Sequence, residues 1–281
     1  MSTLTTRESV QITAANESGR QPVVLVHGLW LLAGSWDLWR SHLERSGYAP
    51  VVVDWPGEPA DFDAARIDSS ALIGTSVVDL ADHVAEVASA LTAKPILIGH
   101  SFGGLIVQIV AGRGLAAATV SIDPAPSKGV LPLPYSALKS SFPVLKNPAN
   151  RARNVTLTFD EFRYGFANAI AESEARELYD HFHVPGPGLP LFEAAFANVS
   201  TSKATYADKK NPDRGPMLVV SGTADHIAPP VLARAAYKKQ SSNASPTEFV
   251  QIPDAGHSLV IDNRWQEVAD ASLAFVRSHL G

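Results

Sequence analysis

The 281-residue chain contains no cysteine. Disulfides, thiol nucleophiles and Cys-ligated metals are thereby excluded. It has little excess charge, with a net charge of -5 and its lysines and arginines scattered without a basic run. Nucleic acid and an anionic membrane surface are therefore not expected as partners. A long uninterrupted apolar run is also missing. The most apolar stretch, 96–120, is broken by His100, Ser101, Gln108, Arg113 and several glycines, whereas a spanning helix needs about 20 predominantly apolar residues. The opening residues Met1-Ser2-Thr3-Leu4-Thr5-Thr6-Arg7-Glu8 lack the basic-then-apolar pattern of a signal peptide. The expectation is a soluble cytoplasmic protein. No internal repeat or low-complexity tract is visible.

What the chain does have is an alternation of short apolar runs and helical patterns. Strands are expected at 22–27, 49–54, 95–99, 118–123, 216–221 and 248–252, with a further one at 9–14. Continuous runs such as Val51-Val52-Val53 suit strands buried on both faces of a parallel sheet. Val77, Leu80, Val84, Val87 and Leu91 make one helical stripe, and Trp265, Val268, Phe275 and Val276 make another. Ser35 reads as a helix N-cap. The alternation predicts an α/β fold: an open, mostly parallel sheet with helices on both faces.

Residues 124–214 break the pattern. Leu131-Pro132-Leu133-Pro134 and Val184-Pro185-Gly186-Pro187-Gly188 are not core strands. Thr158 and Glu161 have capping-box spacing ahead of Phe162, Phe166 and Ile170. This segment is expected to be a helical lid inserted into a core formed by 1–123 and 215–281. Trp30, Tyr164 and Phe166 are expected to line its substrate pocket.

The chemistry concentrates at strand ends. Pro95-Ile96-Leu97-Ile98-Gly99-His100-Ser101-Phe102-Gly103-Gly104 is a strand running into a G-x-S-x-G turn, with a helix following. A serine held in a strained turn needs small neighbours, which Gly99 and Gly103 supply. Val26-His27-Gly28-Leu29 ends another strand; the N–H of Leu29 and that of Phe102 are the expected oxyanion donors. His257, on the loop after the last strand, is the expected base. His42, His83 and His279 fall on helical patterns and are expected to be solvated. His181 and His183 lie in the lid, His100 should point away from the nucleophile, and His226 is the competitor. Asp225, in Gly222-Thr223-Ala224-Asp225, is the expected acid, with Asp123 its rival.

With His27-Gly28, Asp54-Trp55-Pro56-Gly57, Gly99-His100-Ser101-Phe102-Gly103-Gly104, Gly222-Thr223-Ala224-Asp225 and Gly256-His257, the chain resembles the α/β-hydrolase superfamily, in its lidded serine esterase, perhydrolase and epoxide-hydrolase-like branch. The resemblance implies the α/β-hydrolase fold with a helical lid inserted after the sixth strand. It implies hydrolysis of a carboxylic ester, with a lactone as one form of it, through a Ser101 acyl-enzyme. No metal or organic cofactor is needed, and the partner is a small apolar ester. Alternatives on the same site are perhydrolase or cofactor-free haloperoxidase chemistry, carbon–carbon bond hydrolysis and a hydroxynitrile-lyase-like reaction; a non-catalytic receptor is the alternative outside enzymology. The chain departs from the pattern after Gly57, where Glu58-Pro59-Ala60 stands in place of a further glycine and a serine.

Overall fold

A computed structural model describes residues 4–281. Its first element is α1 (Thr6–Ser18), and it falls where a strand was expected at 9–14. The Thr5 hydroxyl accepts from the Glu8 N–H while the Glu8 carboxylate accepts from the Thr5 N–H. This reciprocal cap starts a helix that the β-branched Val10, Ile12 and Thr13 would not favour alone.

The chain then runs through β1 (Pro22–Val26), α2 (Asp37–Arg45), β2 (Ala49–Val52), α3 (Phe62–Ile67), α4 (Val77–Ala90), β3 (Ile96–His100), α5 (Phe102–Gly112) and β4 (Ala118–Ile122). After β4 come α6 (Tyr135–Leu145), β5 (Asn154–Val155), α7 (Phe159–Gly165), α8 (Glu172–Phe182), β6 (Gly186–Pro187) and α9 (Leu189–Ala195). The core resumes with β7 (Met217–Gly222), α10 (Pro230–Gln240), β8 (Thr247–Ile252) and α11 (Trp265–Leu280). Ser35 lies inside a short 3-10 turn and makes no side-chain cap on α2, because that turn already supplies the helix entry.

Six strands form one parallel sheet in the order β2-β1-β3-β4-β7-β8. Residues 124–214 leave this sheet after its fourth strand in chain order, not after a sixth, because a helix occupies the place of strands before Pro22. Their own short ribbon, β5 against β6, is antiparallel and separate from the sheet. The stripe Val77, Leu80, Val84 and Val87 is buried as its spacing predicts. Among the described residues no helix is long and apolar enough to cross a membrane.

The strand order fixes where a ligand can sit. From β1 the chain moves outward to β2 and then returns to β3 on the other side. At such a switch point the loops leaving the carboxyl ends diverge and open a crevice. The loop after β1 carries His27 and Gly28, and the loop after β3 carries Ser101.

Candidate active site

Ser101 has φ 57° and ψ −119°, a conformation that a residue with a Cβ seldom adopts. The surrounding structure holds it there. Its N–H donates to the Ile122 carbonyl at 2.9 Å, and its carbonyl accepts from Leu105 at 3.1 Å and Ala125 at 2.9 Å. A side chain at Gly99 would strike the Gly103 carbonyl, and one at Gly103 would strike the Val26 carbonyl. Glycine is required at both because backbone meets backbone.

The loop after β1 closes onto the serine. A Cβ at Gly28 would lie 2.6 Å from Ser101 Cβ and 3.2 Å from its Oγ. Leu29 follows directly. Phe102 is the first residue of α5, so its N–H has no partner within the helix. His27 braces the loop: Nδ1 lies 2.8 Å from the Gly28 carbonyl, Nε2 lies 2.8 Å from Glu58 Oε2, and the ring stacks on Trp55. Glu58 also accepts the N–H groups of Ala33 and Trp55. This buried carboxylate was missed in the sequence. Its signal was the departure after Gly57, where an acid stands in place of small residues.

His257 and Asp225 meet from the loops after β8 and β7. Nδ1 of His257 is 2.6 Å from Asp225 Oδ2, and both side chains are fully buried. Asp225 Oδ1 accepts the N–H groups of Ile227 and Ala228 at 2.6 and 2.9 Å. The opposite nitrogen of His257, Nε2, is buried without a partner.

His100 does not point away, as the sequence had suggested. Its ring, on the last residue of β3, lies 4.6 Å from the His257 ring. Burial first, and the nearby His257 second, hold His100 well below the usual imidazole range, so it stays neutral. His83 is a second correction: it is buried on α4 with Nε2 2.9 Å from Glu8 Oε1, a pairing made possible by α1. His42 and His279 lie beside Asp270 and Glu248. His226 faces the Tyr164 carbonyl through Nδ1.

The expected pocket residues divide. Phe166 is buried, its ring set edge-on to His257 at 4.8 Å. Trp30 is buried, with its indole N–H on the Val155 carbonyl at 3.0 Å. Tyr164 packs on His226 beneath the Lys139 ammonium. The capping box at Thr158 explains the split: Phe162 and Phe166, four apart, share the inward face of α7, and Tyr164 is turned away from it.

Asp123, the rival acid, sits beside the pair. Asp123, Asp225 and His257 have ligand-type atoms within 4.8 Å of one another. A cation there would compete with the short Asp225–His257 hydrogen bond for the same atoms, so the set fits a hydrogen-bonded pair better than a metal centre.

The model of the alpha/beta hydrolase family matches residues 23–271. Among solved structures, a monoacylglycerol lipase of Paleococcus ferrophilus is 23% identical with a TM-score of 0.63, over 92% of this chain and 94% of that one. A thermophilic esterase from Thermogutta terrifontis is 22% identical with a TM-score of 0.63, over 92% and 90%. An extracellular alpha/beta-hydrolase from a Paenibacillus species is 23% identical with a TM-score of 0.63, over 90% and 98%. With nearly the whole sheet and its loops inside the matched range, the chain belongs to the alpha/beta hydrolase family.

Proposed function

We propose that the protein hydrolyses carboxylic esters, lactones among them, by acyl transfer through Ser101. The observation that carries this reading is the state of His257: Nδ1 is held by Asp225, and Nε2 is buried with no partner. A nitrogen so oriented is ready to accept one proton. In the reaction Ser101 Oγ bonds to the ester carbonyl carbon and its proton passes to Nε2. The carbonyl oxygen, now negative, accepts the N–H groups of Leu29 and Phe102. When the ester C–O bond breaks, the alkoxide takes the proton from His257. Water then repeats the sequence on the acyl-enzyme and frees the acid. Asp225 fixes the tautomer and stabilises the imidazolium.

Residues 124–214 act as a lid in this reading. They contribute Phe166 to the wall against His257 and supply an apolar surface for the acyl or alcohol part. Residues 1–123 and 215–281 are the catalytic core.

A panel of p-nitrophenyl esters and lactones tests the activity. A fluorophosphonate should add once, at Ser101. Ser101→Ala should remove labelling and lower kcat by about a millionfold, and Asp225→Asn should lower it by about four orders of magnitude. Labelling at another serine, with turnover intact in Ser101→Ala, would falsify the assignment.

A further inference from the structure

The carboxyl of Asp123 has no place in the steps above, yet it is buried beside them. We infer that Asp123 is a protonated carboxylic acid that donates its hydrogen to Asp225 and so sets how strongly Asp225 holds the His257 imidazolium. It is a positioning residue, and its kinetic consequence rests on the ester-hydrolase reading.

The geometry is as follows. Asp123 directly follows β4 with φ 39°, ahead of Pro124. A proline disfavours the right-handed helical conformation in the residue before it, and aspartate tolerates the left-handed one. The side chain is fully buried. Oδ1 accepts the Gly222 N–H at 2.9 Å and the nearby Ser221 hydroxyl gives the carboxyl weaker support, while Oδ2 is buried without a close hydrogen-bond partner among the described residues. Asp225 is better supplied, with two backbone N–H groups on one oxygen and His257 on the other.

Two buried carboxyls this close cannot both ionise cheaply, so one keeps a proton. It stays on the carboxyl with fewer donors, which is Asp123. Burial, and after it the charge of Asp225, push Asp123 well above the usual carboxylate range. The titratable groups facing it are Asp225 from the β7 loop and His257 from the β8 loop, with the neutral His100 of β3 behind His257. The protonated Oδ2 then becomes a donor, and Asp225 is the acceptor within reach. A hydrogen bond from Asp123 draws charge out of the Asp225 carboxylate. The imidazolium formed during attack is then held less tightly.

The test compares the acid limb of kcat/KM for a p-nitrophenyl ester in the wild type, Asp123→Leu and Asp123→Asn. Removing the donor with leucine should move the limb to higher pH by on the order of one unit. Asparagine, which keeps an N–H donor, should move it less in the same direction. If Asp123 were ionised, both substitutions would remove a negative charge near His257 and move the limb to lower pH; that result, or no movement with leucine, overturns the inference.

A second measurement needs no substrate. Wild-type protein carrying 13C at the aspartate side-chain carboxyls should retain a protonated carboxyl signal at pH 7. Asp262, also pushed up by burial, keeps donors on both oxygens from Ser258 and Arg264, and Asp262→Asn identifies its signal. If every other aspartate carboxyl is ionised at pH 7, the inference fails, whatever the ester assay gives. If no ester is hydrolysed but a protonated signal is present that Asp123→Asn removes, the functional reading fails and the proton assignment stands; if the signal survives Asp123→Asn, the inference fails.

Discussion

From Ile96 to Gly112 every residue is buried, through strand, elbow and helix. On α6, by contrast, Tyr135, Leu138 and Phe142 stand in solvent at 77%, 50% and 61% exposure, with Lys139 on the same arc, while Ser140 and Val144 face inward. The two regions treat apolar side chains in opposite ways. In the elbow, close backbone contact has removed any freedom to vary. Even the polar Gln108 is fully engaged there, donating to Ser121 and accepting from Gln240. On α6 the outer apolar residues Tyr135, Leu138 and Phe142 belong to none of the described core clusters, so the core does not set their composition.

The contrast can be broken at three points, from the largest effect to the smallest. Gly103→Ala forces a methyl into the Val26 carbonyl. Neither backbone can give way without disturbing the sheet, and the loss should exceed about 4 kcal/mol in urea denaturation. A loss under about 1 kcal/mol would mean that the elbow can relax and that the contrast is overstated.

The second point lies where the insertion is buried. His183 stacks on Tyr179 and accepts the Leu157 N–H through Nε2. Burial first, and Arg66 second, lower its pKa to about 4. The folded value is below the unfolded one, so the stability this neutral ring contributes is complete above about pH 6.5 and is lost as pH falls from there to about 4. The shift corresponds to about 3 kcal/mol. The stability gap between wild type and His183→Gln, followed by urea denaturation, should therefore shrink by roughly that amount across this window. Parallel curves would show that His183 does not report on the packing of the insertion.

The smallest effect is expected on the outside of α6. Leu138→Ser and Phe142→Ser should each change stability by no more than about 0.5 kcal/mol. A loss above about 2 kcal/mol, with a change in mass by light scattering, would reveal that another molecule covers this face.

Much of the core was legible because its information is local. Buried parallel strands read as continuous apolar runs, and the elbow needs glycines at fixed offsets from Ser101, so both can be seen within ten residues. The chain order of Ser101, Asp225 and His257 located the two residues that meet at 2.6 Å. What was missed depends on distant partners. Glu8 and His83 are 75 positions apart, and His27 and Glu58 are 31 apart. Neither pair has a spacing that marks it. At 9–14 a local signal does exist, the Thr5–Glu8 capping box just ahead of it, which was missed in the sequence. Tyr164 and Phe166 looked equivalent as aromatics; only the phase of α7 separates them.

The stitching around Trp30 bears on how this scaffold can be recombined with its relatives. The Trp30 carbonyl accepts the Val184 N–H at 3.1 Å, its indole donates to Val155, and Gly186 lies against its backbone nitrogen. The β5–β6 ribbon is thus fastened to the loop that borders Ser101. A crossover at residues 123 and 215 would exchange 124–214 as a block but leave its anchor behind in the parent. The transferable module is discontinuous: it comprises the insertion together with the turn that contains Trp30. A chimera that moves both carries its own fastening, whereas one that moves only the contiguous block must find a substitute for each of these bonds.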